Sequence, residues 1–263
     1  MSEEPVFRVE DDLFVPTGHA RSPWDPAQQH GGGPCALMAR AIERIQAPAP
    51  MLLARLTIDF LGAVPLAPLE VEARVVRPGR RLQIAEAVLS SDGTTICRAR
   101  GVLLRREAVE VPARAARPPR ITPPDDLTTM AAPVPPHGLN EGFGPTAMEL
   151  RFAEATFTDP GPATAWFRLR RPLVEGEEPS GVQRAVAAAD FGNGISSELS
   201  FATHLFINTD LSVHLAREPV GEWIAVEAVT DHGPEGTALA SSVLHDIEGP
   251  IGRAAQSLFV AER

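Results

Sequence analysis

Lysine and tyrosine are absent from the 263 residues, cysteine occurs twice, and all 24 fixed cations are arginines. The two cysteines, Cys35 and Cys97, form no C-x-x-C pair, which excludes a disulfide framework or a zinc ribbon and leaves two buried thiols. His204, His214, His232 and His245 are scattered without ligand spacing, so no metal site is expected. No apolar run approaches the roughly 20 residues that a membrane span requires. The opening residues, MSEEPVFRVEDDLF, are acidic where a secretory leader is basic. The expectation is a cytoplasmic protein with no membrane insertion. Acidic side chains outnumber basic ones by 34 to 24, a formal net charge of −10. That balance argues against nucleic acid as a partner and requires a local cluster for any anionic ligand. Neither G-x-S-x-G nor H-E-x-x-H occurs, which removes serine-hydrolase elbows and zincins. The DFGNG run beginning at Asp190 shares a triplet with kinases, but without a glycine-rich loop, a strand lysine or an HRD motif it is no kinase. The missing tyrosine carries no functional reading.

What the chain does have is proline, 26 residues of it, eight of them crowded between Arg114 and Pro145. Proline fixes φ and removes backbone donors, so residues 111–145 read as a semi-rigid connector between a first unit, 1–110, and a second, 146–263. The same order of elements stands on either side. Leu37, Met38, Ala41, Ile42 and Ile45 mark one helical face in the first unit, and Val182, Ala185, Val186 and Ala189 mark one in the second. LLARLTIDFLG, PLEVEARVVR and RLQIAEAVLSSDGTTICRARGVLL follow the first helix as strands, with Asp92-Gly93 a hairpin turn. HLFINTDLSVHL, EWIAVEAVT and TALASSVLHDIEGPIGRAAQSLFV follow the second, with Glu248-Gly249 at the matching turn. Laid over one another, the units set Asp59 against Asp210, Leu69 against Trp223, Gly93 against Gly249 and Ala99 against Ala254. The pattern predicts an α+β protein of two copies, each a helix covering one face of an antiparallel sheet, paired edge to edge into one continuous sheet. Trp24, Trp166 and Trp223 read as packing residues.

At the first helix, QHGGGPCALMARAIERI sets a histidine and three glycines before a proline. Two explanations fit: a tight turn that needs permissive backbone, or bare N–H groups aimed at a ligand oxygen from the positive end of a helix dipole.

The phrases SPWDPAQQHGGGPCALMARAIE, LTIDFLGAVPL, RPGRR, AAADFGNGISSEL, NTDLSVHLAREPVGEW and GRAAQSLFVAER resemble thioesterase-like, double-hotdog proteins related to acyl-CoA thioesterase II. The likeness covers nearly the whole chain apart from the proline-rich segment. It implies a double hotdog, each long helix wrapped by its sheet, and hydrolysis of an acyl-CoA to free acid and coenzyme A in lipid metabolism. It also implies an aspartate, a threonine and a glutamine around the hydrolytic water, which fall on Asp210, Thr230 and Gln256. A histidine usually follows that aspartate; Leu211 stands here. In the overlay Thr230 faces Val76 and Gln256 faces Gly101, so only the aspartate is shared, as one working site would leave it.

The resemblance gives the glycine turn its complement. Glycine N–H groups open the helix of several hotdog thioesterases and polarise the thioester carbonyl, which points to Gly31 and Gly32, flanked by His30 and Gly33. The second helix lacks the double glycine but carries Asp190, where many single-hotdog enzymes keep a carboxylate. One composite site is expected, with Asp190 as the rival to Asp210 for the base and Asn193 beside it as a substrate contact. Arg77, Arg80 and Arg81 could hold the phosphates of coenzyme A, or form a solvated hairpin. The leaving thiol has a pKa of about 8.5, so its expulsion needs little acid help, and no metal, cofactor or covalent nucleophile is required. The competing reading is a non-catalytic acyl-binding protein. A hotdog hydratase would need a D-x-N-P-x-H motif, which is not found. Hotdog sheets often pair further, which implies a homodimer.

Overall fold

The computed structural model describes residues 4–110, 121–132 and 138–263. Two strands, β1 (Phe7–Glu10) and β2 (Leu13–Pro16), form a small hairpin ahead of helix α1 (Gly32–Glu43). Four strands follow: β3 (Met51–Phe60), β4 (Glu70–Arg77), β5 (Leu82–Ser91) and β6 (Thr94–Arg105). The second unit repeats the plan with β7 (Met148–Glu154), β8 (Ala163–Leu169), α2 (Gly181–Ala189) and a short helix α3 (Gly192–Ile195). Its remaining strands are β9 (His204–Asn208), β10 (Asp210–Leu215), β11 (Ile224–His232), β12 (Thr237–Asp246) and β13 (Gly249–Glu262). Together they make one eleven-stranded antiparallel sheet in the order β4-β5-β6-β3-β10-β13-β12-β11-β8-β7, with β9 on β13. The seam between units is β3 against β10, and the whole is a double hotdog. Among the described residues no helix is long and apolar enough to cross a membrane.

The two helices lie antiparallel inside this sheet. Leu37, Met38 and Ile42 of α1 and Val182, Ala185 and Val186 of α2 are buried, so the 3.6-residue pattern in sequence becomes the core. At one end Ser180 caps α2 by accepting from the Gln183 N–H, and Glu43 of α1 accepts from the Ser180 hydroxyl and the Gln183 amide. A carboxylate at a helix N-terminus complements its dipole. At the other end the glycines of α1 meet the last turn of α2.

The seam corrects the overlay. Thr57 pairs with Arg100 and Ser212 with Ala255, and Ser91–Thr94 and Asp246–Gly249 close the two hairpins. All of these correspond at one constant separation in sequence, which sets Arg55, not Asp59, against Asp210, and Val75, not Val76, against Thr230. Asp59 and Asp210 are instead direct partners across the seam. The second hairpin turns at Ile247-Glu248, one residue before the expected position.

The proline-rich segment is more than a connector. Residues 111–120 and 133–137 lie outside the described residues. Within 121–132, Ile121 and Leu127 pack on Trp166 and Trp223, Trp166 Nε1 donates to the Thr122 carbonyl at 2.8 Å, and Met130 bridges to Leu150. Phe143, near its end, is fully buried.

Beside that pad, Glu149 of β7 accepts from Arg168 at 2.6 Å, Arg151 at 2.8 Å and Thr129 at 2.9 Å. Burial opposes its charge, but these donors prevail and hold the carboxyl down at about 2. The folded-state value lies below that of the unfolded chain, so this stabilisation is complete above about pH 4.5 and is lost as pH falls towards 2. We expect the urea midpoint to drop between about pH 5 and pH 3. Glu149→Gln should lower the midpoint at neutral pH and flatten that drop; an unchanged slope would refute the assignment.

Candidate active site

The glycine turn, the end of α2 and two strands converge on one carboxylate. Asp190, the C-cap of α2, is buried. Its Oδ1 accepts from Asn208 Nδ2 at 2.9 Å and from Gln256 Nε2 at 3.4 Å, and its Oδ2 lies 3.0 Å from His30 Nδ1. Gln256 is oriented from its other side, because its Oε1 accepts the Asn193 N–H at 3.2 Å, leaving only the NH₂ group to face Asp190. Antiparallel helices also bring the positive end of the α1 dipole to this anion. Gly31 permits the approach: a Cβ there would stand 2.8 Å from Asp190 Oδ2. The N–H groups of Gly31, Gly32 and Gly33 precede the first helical bond, from Cys35 N–H to the Gly31 carbonyl, so the helix itself supplies them no acceptor.

A cavity of about 710 Å³ opens onto this corner, lined by His30, Asp190 and Asn193 and walled by Trp24, Phe157 and Phe201. Trp24 therefore faces the cavity, in contact with Phe201 and Phe206 at ring-centroid distances of 5.1 and 5.2 Å. His30 stacks on Phe191 at 4.4 Å and Phe143 at 5.2 Å.

The other expected residues are placed elsewhere. Strand register slips by one between Asn208–Leu258 and Ser212–Ala255, so Thr209 and Asp210 together face Ser257 in a β-bulge. The bulge would orphan the Ser257 N–H, and Asp210 Oδ1 accepts it at 2.7 Å. Asp210 is thus tied to the backbone of the sheet and bonds to neither Gln256 nor Asp190. Thr230 shares a hydrogen bond of 2.7 Å with Ser196, which also donates to the Gly192 carbonyl. That pair supports α3. Gly33 lies inside α1 against Phe7 and Phe143, a packing position. Arg77, Arg80 and Arg81 belong to the β4–β5 hairpin at the sheet edge, where Arg77 bonds to the Leu82 carbonyl; none lines the cavity.

Asn208 was missed. A polar residue on the inward face of a strand is the available signal, since Phe206 and Asn208 alternate inward along β9. The bulge reverses that parity before Leu211, so counting back from β10 turns Asn208 outward.

Cys35 and Cys97 sit behind the site. Burial, reinforced by the Asp190 charge, pushes the Cys97 thiol up to about 12 and Cys35 well above the ordinary thiol range. Neither is a nucleophile at neutral pH. Among the described residues no three metal-ligating side chains gather.

Residues 20–104 match the model of the acyl-CoA thioesterase N-terminal domain, and residues 124–260 match that of the acyl-CoA thioesterase C-terminal domain. The chain belongs to the acyl-CoA thioesterase family. Among solved structures, a hot dog fold protein of unknown function from Alicyclobacillus acidocaldarius is 16% identical, with 96% of this chain and 94% of that one covered, at a TM-score of 0.72. A candidate thioesterase from Novosphingobium aromaticivorans is 20% identical over 97% and 98%, at 0.71. Acyl-CoA thioesterase II from Mycobacterium marinum is 14% identical over 97% and 94%, at 0.64. At these identities the likeness shows the fold. No curated protein matches the chain. The C-terminal model begins at residue 124, inside the proline-rich segment, as the packing of residues 121–132 on Trp166 and Trp223 would lead one to expect.

Proposed function

We propose that this acyl-CoA thioesterase family member hydrolyses an acyl-CoA by direct attack of water, with Asp190 as the general base. The observation that carries this reading is the convergence of Asn208, Gln256 and His30 on one buried carboxylate, at the mouth of a glycine-opened helix and beside an apolar cavity. The acyl chain occupies the aromatic cavity. Its carbonyl oxygen takes N–H donors from the glycine turn, and one such preorganised donor can be worth about 3 kcal/mol to a tetrahedral oxyanion. A water held by Asp190 and the neighbouring amides gives its proton to the carboxylate as its oxygen bonds to the acyl carbon. Collapse of the intermediate breaks the C–S bond, and the proton on Asp190 returns to the departing thiolate. Asp210 and Thr230 then act as structural groups.

A thiol-release assay over short, long and aromatic acyl-CoAs tests the reading. Stoichiometric coenzyme A and free acid are expected, with turnover reduced about 10- to 100-fold in Gln256→Ala and in Asn208→Ala, in the range for groups that orient a reacting water. Tight acyl-CoA binding with no thiol release from any substrate would instead make the chain an acyl-binding protein.

A further inference from the structure

His30 Nδ1 is engaged twice. The Gly32 N–H points to it at 3.1 Å, and Asp190 Oδ2 lies 3.0 Å away. A neutral imidazole nitrogen either donates or accepts. Accepting from Gly32 requires the bare lone pair, which then faces a carboxylate oxygen; bonding to Asp190 requires a proton on Nδ1, which then faces the Gly32 N–H. The two contacts belong to two tautomers.

Among the described residues nothing else in the site relieves the conflict. Stacking on Phe191 and Phe143 fixes the ring plane, so the ring does not turn from one partner to the other. Asp190 is held through Oδ1 by Asn208 and Gln256, and the titratable groups behind it, Cys35 and Cys97, are neutral thiols. Among the described residues no protein group hydrogen-bonds to His30 Nε2, and the ring lines the cavity. Nε2 can hold or release its proton against water.

We propose, on the reading of the site given above, that His30 is a positioning residue whose tautomer couples the oxyanion donor to the base. Without substrate the proton is on Nε2 and Nδ1 caps the Gly32 N–H. When a thioester oxygen takes that N–H, the Nε2–H bond breaks and an Nδ1–H bond forms through cavity water, with no change in the charge of the ring. The new Nδ1–H then donates to Asp190 Oδ2 and fixes the carboxylate for attack. The glycine donor is exposed, and the base locked, only when a carbonyl is present.

Two-bond ¹H–¹⁵N correlation of histidine-labelled full-length protein reads the tautomer directly, with His30→Ala identifying the signal. The probes are an octanoyl-CoA analogue with methylene in place of the thioester sulfur, which keeps the carbonyl, and octyl-CoA, which lacks it. The expected result is an Nε2–H imidazole in the free protein and with octyl-CoA, and Nδ1–H with the ketone. The same tautomer in all three states, or a change with both ligands, overturns the proposal while leaving hydrolysis intact. Failure of the ketone to bind a protein that hydrolyses octanoyl-CoA also overturns it. Absence of both binding and hydrolysis removes the functional reading beneath it.

Discussion

Asp190→Asn is expected to lower kcat/KM for acyl-CoA hydrolysis about 10³-fold, close to 4 kcal/mol of transition-state stabilisation. The substitution keeps shape and one acceptor oxygen, so Asn208 retains a partner. What it removes is the proton acceptor, and a positioned general base contributes typically 10²- to 10⁴-fold. Asp210→Asn is the informative contrast. Its carboxylate serves the Ser257 N–H across the bulge, and an amide oxygen can accept the same bond, so turnover should stay within about threefold of wild type. Asp210→Ala leaves that N–H without its acceptor and should cost about 1–2 kcal/mol of stability, measured as a lower urea midpoint. A thiol-release assay on the three variants separates the roles; loss of turnover in Asp210→Asn with retention in Asp190→Asn would move the base to the bulge.

The contrast between these aspartates shows what sequence could and could not convey. Periodicity located both core helices and the strands that follow them, because burial on one face imposes the same spacing whatever the tertiary partners. The duplicated order also led to one continuous sheet, which the structure joins at β3 and β10. The patterns do not reveal β1, β2, β7 and β8. β8 is buried on both faces over Ala163–Phe167 and shows no alternation, while β1 and β2 are only four residues each. The site was harder for a different reason. Asp190, Gln256 and the His30-Gly31 turn could be named individually, but Asn208 lies on the far side of a one-residue bulge, and nothing local in NTDLSVHL reports that Thr209 and Asp210 share a single partner. The apparent match of Asp59 to Asp210 adds to the difficulty, since two aspartates that face each other across the seam look, in sequence, like copies of one residue. Arg77, Arg80 and Arg81 illustrate the opposite limit: a cluster of charge in sequence gives no indication of its distance from a cavity formed by other strands.

The neighbouring glycines of the helix entrance should fail in different ways when a methyl group is added. Gly31 has φ −58° and ψ −29°, a conformation alanine adopts freely, so the backbone does not oppose Gly31→Ala and the urea midpoint should fall less than in Gly32→Ala. Its Cβ would meet Asp190 Oδ2 at 2.8 Å and Phe60 Cζ at 3.0 Å. Both are the far ends of side chains and can move, but moving the carboxylate withdraws it from Asn208, Gln256 and the water it orients. Displacement of a reacting group by about 1 Å can cost 10²-fold in rate, and a loss of that order in kcat is expected. At Gly32 the new Cβ would stand 2.7 Å from Phe143 Cε1 and 2.8 Å from the Ala187 carbonyl oxygen. The latter is backbone of the facing helix, so α1 and α2 must separate, and overpacking of this kind costs about 1–3 kcal/mol or more. Gly32→Ala should therefore show its main effect in denaturant unfolding, with Gly31→Ala showing its main effect in turnover. If Gly31→Ala were fully active, Asp190 would have room to work from another position, and the close approach of carboxylate to helix entrance would lose its catalytic meaning.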